Sequence, residues 1–237
     1  MEFDKETHSE HISTHFDAEL EQIKSNLMAM GGLVEQQLAD ALAALASRDA
    51  LLAERAQKSD NKINQMEITI DEECIRIIAR RQPAASDLRL VVAISKANRD
   101  LERVGDETCR IARYATKMLR EDVPSNTEVR HIGRHVSEMV RNSLTAFARY
   151  DTELAYQVAR EDFKVDEEYK FAMRALVTDM MEEPRHVARN MNIIWILRSL
   201  ERIGDHACNI SDHLIYLVKG INVSHSSLEQ IKETVRE

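Results

Sequence analysis

The chain has 237 residues, 43% of them hydrophobic and 31% charged, and a formal net charge of -9 at pH 7. That length suits one large domain or two small ones. The acidic balance removes general nucleic-acid binding, which needs a basic footprint, and no apolar run approaches the roughly 18 residues of a membrane span.

Only 6 Gly and 3 Pro are present, while Ala, Leu, Glu, Arg, Ile and Met dominate. Most of these are good helix formers, so the chain reads as all-α. The expected helices, in chain order, are roughly 12–47, 50–81, 86–120, 127–149, 152–182 and 187–218. Asp49 and Asp151 stand where helices restart, with side chains suited to N-capping. Pro83 and Pro184 mark the breaks between second and third helix and between fifth and sixth. The stretch from Asp122 to Asn126 is the best linker. The tail after Gly220 is polar and expected to be loosely held, with room for one short helix. Met1 is followed by Glu2, Asp4 and Glu6, unlike the basic start of a signal peptide. Three widely spaced Cys make no disulfide framework, so a cytosolic protein with reduced thiols is expected.

The chain is a duplication. Leu101-Glu102-Arg103-Val104-Gly105-Asp106 returns 99 positions later as Leu200-Glu201-Arg202-Ile203-Gly204-Asp205. At offset 102, Val34, Leu42, Ala44, Asp49 and Asp60 match Val136, Leu144, Ala146, Asp151 and Asp162. A period near 100 is too long for a solenoid. It suits two three-helix repeats, residues 1–122 and 123–220, followed by a polar tail, 221–237. In the third helix, Leu90, Ile94, Ala97, Leu101, Val104, Ile111 and Ala115 form a core stripe. Ile193, Leu197, Leu200, Ile203, Ala207, Ile210 and Leu214 repeat it in the sixth. Gly105 and Gly204 lie beside these stripes, where the cost of Gly in a helix points to close approach of a neighbour.

Each hexapeptide carries a Glu-x-x-x-Asp pair on one helix face: Glu102 with Asp106, and Glu201 with Asp205. The second helix of each repeat offers a facing pair, Asp162 with Asp166 in the second copy and Asp60 with Asn64 in the first. An antiparallel hairpin would bring these pairs together. Clustered carboxylates repel and raise one another's pKa; a cation relieves this, and oxygen-only ligands suit magnesium, calcium, manganese or iron. Salt bridging is the competing reading, with Arg99 for Glu102, Arg110 for Asp106, and Arg198 and Arg202 for Glu201 and Asp205. Periodicity alone leaves both open.

Other candidates are weaker. His8, His11 and His15 share a face if the N-terminus is helical. His131 and His135 share that spacing and read as a polar face of the fourth helix. Glu128-x-x-His131 and Glu183-x-x-His186 fit the Glu-x-x-His of di-iron bundles, but both sit beside breaks. Cys109 and Cys208 follow the acids by three residues and read as small buried thiols. No triad order and no glycine-rich phosphate loop is present.

The segment Arg81-Gln82-Pro83-Ala84-Ala85-Ser86-Asp87-Leu88-Arg89, followed by the first hexapeptide, resembles the PhoU family of phosphate-transport regulators. The second hexapeptide, followed by His206, Ala207, Asn209 and Ile210, looks like that family's second repeat. From Phe16 through Gly31-Gly32 to Lys219-Gly220 the likeness is to the enterobacterial type. The resemblance implies two three-helix bundles related by a pseudo-twofold and a homodimer. It also implies a non-enzymatic negative regulator that links the ATPase of a phosphate ABC transporter to a sensor histidine kinase at the inner membrane face. Metal binding through the paired acidic motifs follows from it, with Mg, Mn, Fe, Ca and Zn as candidate ions. Carried over, the ligands are Glu102, Asp106, Glu201, Asp205, Asp162, Asp166 and Asp60; Asn64 departs from the pattern and should weaken the first site. A carboxylate-bridged metalloenzyme (oxidase or phosphatase) and a metal-free scaffold are the alternatives.

Overall fold

The computed structural model describes residues 14–120 and 126–236. His8, His11, the expected helix start at residue 12, most of the expected linker and the 122/123 boundary lie outside these. Six long helices follow the expected order: α1 (Thr14–Ser47), α2 (Ala50–Arg81), α3 (Ala85–Arg120), α4 (Thr127–Arg149), α5 (Thr152–Glu182) and α6 (Val187–Lys219). A 3-10 turn, Pro184–His186, precedes α6, and a short α7 (Leu228–Arg236) ends the described chain.

Side chains set the helix ends. Asp49 accepts hydrogen bonds from the Leu51 and Leu52 N–H groups at 2.8 and 3.3 Å. Asp151 accepts from Leu154 N–H at 2.9 Å, and Asn126 from Val129 N–H at 3.0 Å. Each satisfies donors that the first helical turn leaves open. Pro83 falls in the break after α2, and Pro184 begins the 3-10 turn.

Helices α1–α3 form one antiparallel bundle and α4–α6 the other, joined chiefly along α3 and α6, with α1 against α4. Every residue of the two expected stripes is buried. The joint is reciprocal, as a pseudo-twofold requires. A Cβ on Gly31 would stand 2.6 Å from Leu144 Cδ2; a Cβ on Gly133 would stand 2.7 Å from Leu42 Cδ2. These pairs are equivalent at offset 102, so each repeat inserts a leucine over the other's glycine.

The α3/α6 contact is also reciprocal, but polar. Buried Asp100 accepts from His206 Nδ1 at 2.9 Å, Asn209 Nδ2 at 3.1 Å and His213 Nε2 at 2.9 Å. Burial alone would raise its pKa; these bonds hold it well below the usual carboxylate range. At offset 99, Asp100 corresponds to Ser199 and His206 to Glu107. The Ser199 hydroxyl donates to Glu107 Oε2 at 2.9 Å. One ancestral crossing has diverged into two buried polar pairs.

The tail corrects the expectation of a loosely held end. Val223, Ile231 and Val235 are buried, and α7 lies against α5 and α6. Its sparse apolar residues share one face, enough to dock a nine-residue helix.

Two glycines next to each other in α1 separate packing from propensity. Gly32 has no heavy atom within 4 Å of its Cβ position, so Gly32→Ala should stabilise the protein by about 0.8–1 kcal/mol. Gly31→Val should destabilise it by about 1–3 kcal/mol through overpacking against Leu144. Urea unfolding of both variants measures this; shifts of the same sign would contradict the reciprocal joint.

Candidate functional site

The hexapeptide acids hang from turns of α3 and α6 whose apolar side chains are fully buried. Leu101, Val104, Leu200 and Ile203 are all 0% exposed, which fixes the rotation of these turns of α3 and α6 and leaves Glu102 and Glu201 half-buried, with Asp106 and Asp205 on the exposed rim. Antiparallel packing of α5 on α6 then sets Asp162 and Asp166 opposite Glu201 and Asp205. The charges of all four act on one another. Gly204 eases the approach: a Cβ there would stand 3.2 Å from Asp162 Oδ1 and 3.5 Å from Met139 Cε.

The energetic mark of this cluster is a set of raised carboxyl groups. Burial, then Asp205 and Asp166, pushes Asp162 up to about 7. Burial followed by Asp205 raises Glu201, and burial followed by Asp166 raises Asp205. Arg198 offsets part of this through Glu201 Oε1 at 2.9 Å. Glu201 Oε2 remains shut off from water without a hydrogen bond.

The first repeat builds the equivalent cluster with one charge fewer. Asp60 and Asn64 on α2 meet Glu102 and Asp106 on α3. Burial and then Asp106 raise Asp60; burial, Asp106 and Glu67 raise Glu102. Asp60 Oδ1, Asn64 Oδ1 and Gln37 Oε1 are all cut off from water and without hydrogen-bond partners. Gln37 and Asn64 offset part of the rise at Asp60, and oxygens shut off from water in this way fit a cation. The Gln37 oxygen comes from α1 and lies 3.4 Å from the Cβ position of Gly105. Sequence reasoning missed it, since no acidic spacing marks it, and it missed Glu67 as well.

The salt-bridge reading fares unevenly. Arg198 pairs with Glu201 as expected. Arg110 instead meets Glu107 Oε1 at 2.9 Å, and Arg202 meets the same oxygen at 3.0 Å. The direct ion pairs of Arg110 and Arg202 thus go to Glu107, which sits at the α3/α6 crossing and draws one arginine from each helix, while Arg198 and Arg202 act on Asp205 only through space. Cys109 and Cys208 have pKa values raised first by burial and then by Asp60 and Asp162 respectively, so both stay protonated thiols at neutral pH. His186 binds Asp179 at 3.1 Å, and Glu183 binds Arg185 at 2.8 Å; they do not act as a Glu-x-x-His unit.

The two quartets are wide. Among the described residues, the one group of three His, Cys, Asp or Glu with ligand atoms all within 4.8 Å of one another is His131, His135 and Glu168. His131 and His135 are therefore more than a polar face, and Glu128 is not the acid they meet. The acidic quartets suit ions that keep water in their shells, as magnesium does. Together they can hold hard cations between second and third helix of each repeat, tying the two helices by charge.

Asp162 gives this a pH signature. The folded protein keeps its proton up to about pH 7, while an unfolded chain releases it above about pH 4. Between these limits the folded state binds more protons, so metal-free stability falls as pH rises. Without metal, Asp162→Asn should melt a few degrees above the parent at pH 8, by a smaller margin near pH 5, and together with it near pH 4. A pH-independent difference between the two melting curves would remove the charge cluster as the cause.

Comparison with known proteins agrees with this architecture. The PhoU domain family matches residues 27–115 and again 129–214. The chain is 56% identical over 233 residues to the "phosphate-specific transport system accessory protein PhoU homolog" of Pseudomonas aeruginosa, covering 98% of this chain and 96% of that one. It is 46% identical over 218 residues to the corresponding accessory protein of Escherichia coli, covering 92% and 90%. The crystal structure of PhoU from Pseudomonas aeruginosa superposes with a TM-score of 0.85 at 57% identity, over 87% of this chain and 100% of that one. The phosphate transport system regulatory protein PhoU from Streptococcus pneumoniae superposes with a TM-score of 0.82 at 31% identity, over 88% and 99%.

Proposed function

The chain belongs to the PhoU family, and on that premise we propose that it is an accessory regulator of phosphate uptake whose two acidic quartets bind metal. In this reading it is a negative regulator of the phosphate-starvation response. It acts as an adaptor between the ATPase of the phosphate ABC transporter and a sensor histidine kinase, and works as a homodimer without catalysing a reaction. The names of the aligned relatives support the link to phosphate transport. Among the described residues no helix is long and apolar enough to cross a membrane; association with the inner membrane then runs through protein partners.

The observation that carries the metal part is the mutually repelling set Asp162, Asp166, Glu201 and Asp205, three of them half-buried with Asp205 on the exposed rim. A bound cation supplies the positive charge that cancels this repulsion. The protein's own residues do the rest. Asp162 and Asp166 fix the ion to α5, Glu201 and Asp205 fix it to α6, and Arg198 orients Glu201. The ion then acts as a clamp on a helix pair whose outer surface is free to meet a partner. Magnesium, manganese, calcium and iron are the ions that all-oxygen ligands favour; zinc is the least suited of the family-based candidates here.

The two sites are unequal. Asn64 removes one charge from the first quartet, and divalent affinity follows ligand charge count. Calorimetric titration with manganese should resolve a tighter and a weaker site. Asn64→Asp should tighten the weaker one by about tenfold, an order-of-magnitude expectation from that charge dependence. Identical isotherms for parent and variant would remove the first quartet as a site.

Replacing the chromosomal copy tests the function. In phosphate-rich medium, deletion should derepress phosphate-responsive promoters, and the double substitution Glu201→Ala with Asp205→Ala should do so in part while the protein still accumulates. Full repression after deletion would overturn the regulatory reading. Full repression in a double variant shown to have lost its metal would leave regulation standing and remove the metal from it.

A further inference from the structure

Helix α5 carries a second set of acids on the side turned toward α4. Glu161 and Glu168 are two turns apart there, opposite His131 and His135, which are one turn apart on α4. The two imidazole rings lie 4.5 Å apart between centroids. His131 Nε2 is 3.1 Å from Glu168 Oε1 and His135 Nδ1 is 3.4 Å from Glu168 Oε2. Glu161 Oε1 follows at 3.6 Å from His135 Nδ1, with its other oxygen held by Lys164 at 2.6 Å.

A histidine–carboxylate salt bridge is the simplest account, and it leaves two facts over. First, His135 Nδ1 and Glu168 Oε2 are both shut off from water, yet neither makes a hydrogen bond. They stand 3.4 Å apart as an ion pair that contains no hydrogen bond, and a cation shared between them would complete it. Second, the fold does not need polar residues here. At offset 102 the first repeat has Ala29, Leu33 and Met66 in place of His131, His135 and Glu168. Leu33 and Met66 pack against the apolar core. The second repeat has exchanged an ordinary α1/α2-type contact for two imidazoles and a carboxylate.

We propose that His131, His135 and Glu168 form a separate, three-ligand site for one divalent cation of the zinc class. The ligand set has two nitrogens and one oxygen, with a fourth position open toward the half-exposed His131. Zinc takes two histidines and a carboxylate with a water in fourth place. Tetrahedral zinc with bonds of about 2.0–2.1 Å sets its ligand atoms about 3.3 Å apart; each imidazole nitrogen lies at such a distance, 3.1 or 3.4 Å, from one of the two Glu168 oxygens, and one ligand atom from each of the three residues falls within 4.8 Å of the others. Imidazole selects zinc, cobalt, nickel or copper over magnesium and calcium. The two sides of α5 therefore sort cations by hardness, with oxygen-only ligands toward α6 and mixed ligands toward α4. This site stands independently of the acidic quartets and of the regulatory reading.

Cobalt(II) distinguishes the two site types in the full-length protein, because four-coordinate cobalt absorbs visible light far more strongly than six-coordinate cobalt in water-rich oxygen sites. Chelator-stripped protein should develop the intense tetrahedral band at one equivalent and lose it on adding one equivalent of zinc. The band should persist in Glu201→Ala with Asp205→Ala and vanish in His131→Ala with His135→Ala. A second variant guards against misfolding. His135→Leu with Glu168→Met copies the first repeat, so it should fold at least as stably as the parent without metal, while binding one zinc fewer per chain. A band that survives both His131/His135 and His135/Glu168 substitution, or its absence from the parent, would overturn the proposal.

Discussion

Like charges held together by a core that cannot yield dominate this molecule. Asp162, Asp166, Glu201 and Asp205 would separate if they could, since partial burial weakens the screening between them. They cannot, because Leu200 and Ile203 are locked in the α3/α6 layer, and Gly204 leaves room for Asp162 to lie close against α6. The hydrophobic seam thus sustains an electrostatic strain, visible as an aspartic acid raised to about 7. A cation is the natural relief. The same device in the first repeat is milder, with Asn64 in place of a fourth carboxylate.

Duplication explains where this strain sits, and divergence explains how it is used. The two repeats meet through equivalent contacts: leucine over glycine between α1 and α4, and a buried polar crossing between α3 and α6. The crossing has become Asp100 with His206 on one side and Ser199 with Glu107 on the other. Each choice has consequences nearby. Glu107 collects Arg110 and Arg202, so the direct ion pairs that spacing offered Asp106 and Asp205 are made elsewhere. The α4/α5 contact has changed further, from apolar in its first-repeat counterpart to imidazole and carboxylate.

Much of this was legible in the sequence because it depends on spacing along one helix. Capping by Asp49 and Asp151, the stripes of α3 and α6, the facing acidic pairs and the meaning of Gly105 and Gly204 all follow from a 3.6-residue period and a duplicated hairpin. What was not legible depends on the rotation of one helix against another. Nothing in α1 alone marks Gln37 as the residue that reaches Gly105. Spacing offered Arg110 to Asp106, and the α3/α6 crossing gave it to Glu107. His131 and His135 read as a polar face until the α4/α5 register placed Glu168 between them. The docking of α7 rests on only a few apolar residues, too sparse a pattern to separate from a loose tail.

The central claim is that the helix-pair quartets are cation sites, with the second stronger than the first. Anomalous diffraction from crystals soaked in manganese tests it most directly. The account predicts a peak between α5 and α6, bounded by Asp162, Asp166, Glu201 and Asp205, and a weaker one among Asp60, Asn64, Glu102 and Asp106. Well-ordered side chains at both quartets with no anomalous peak at either would contradict it.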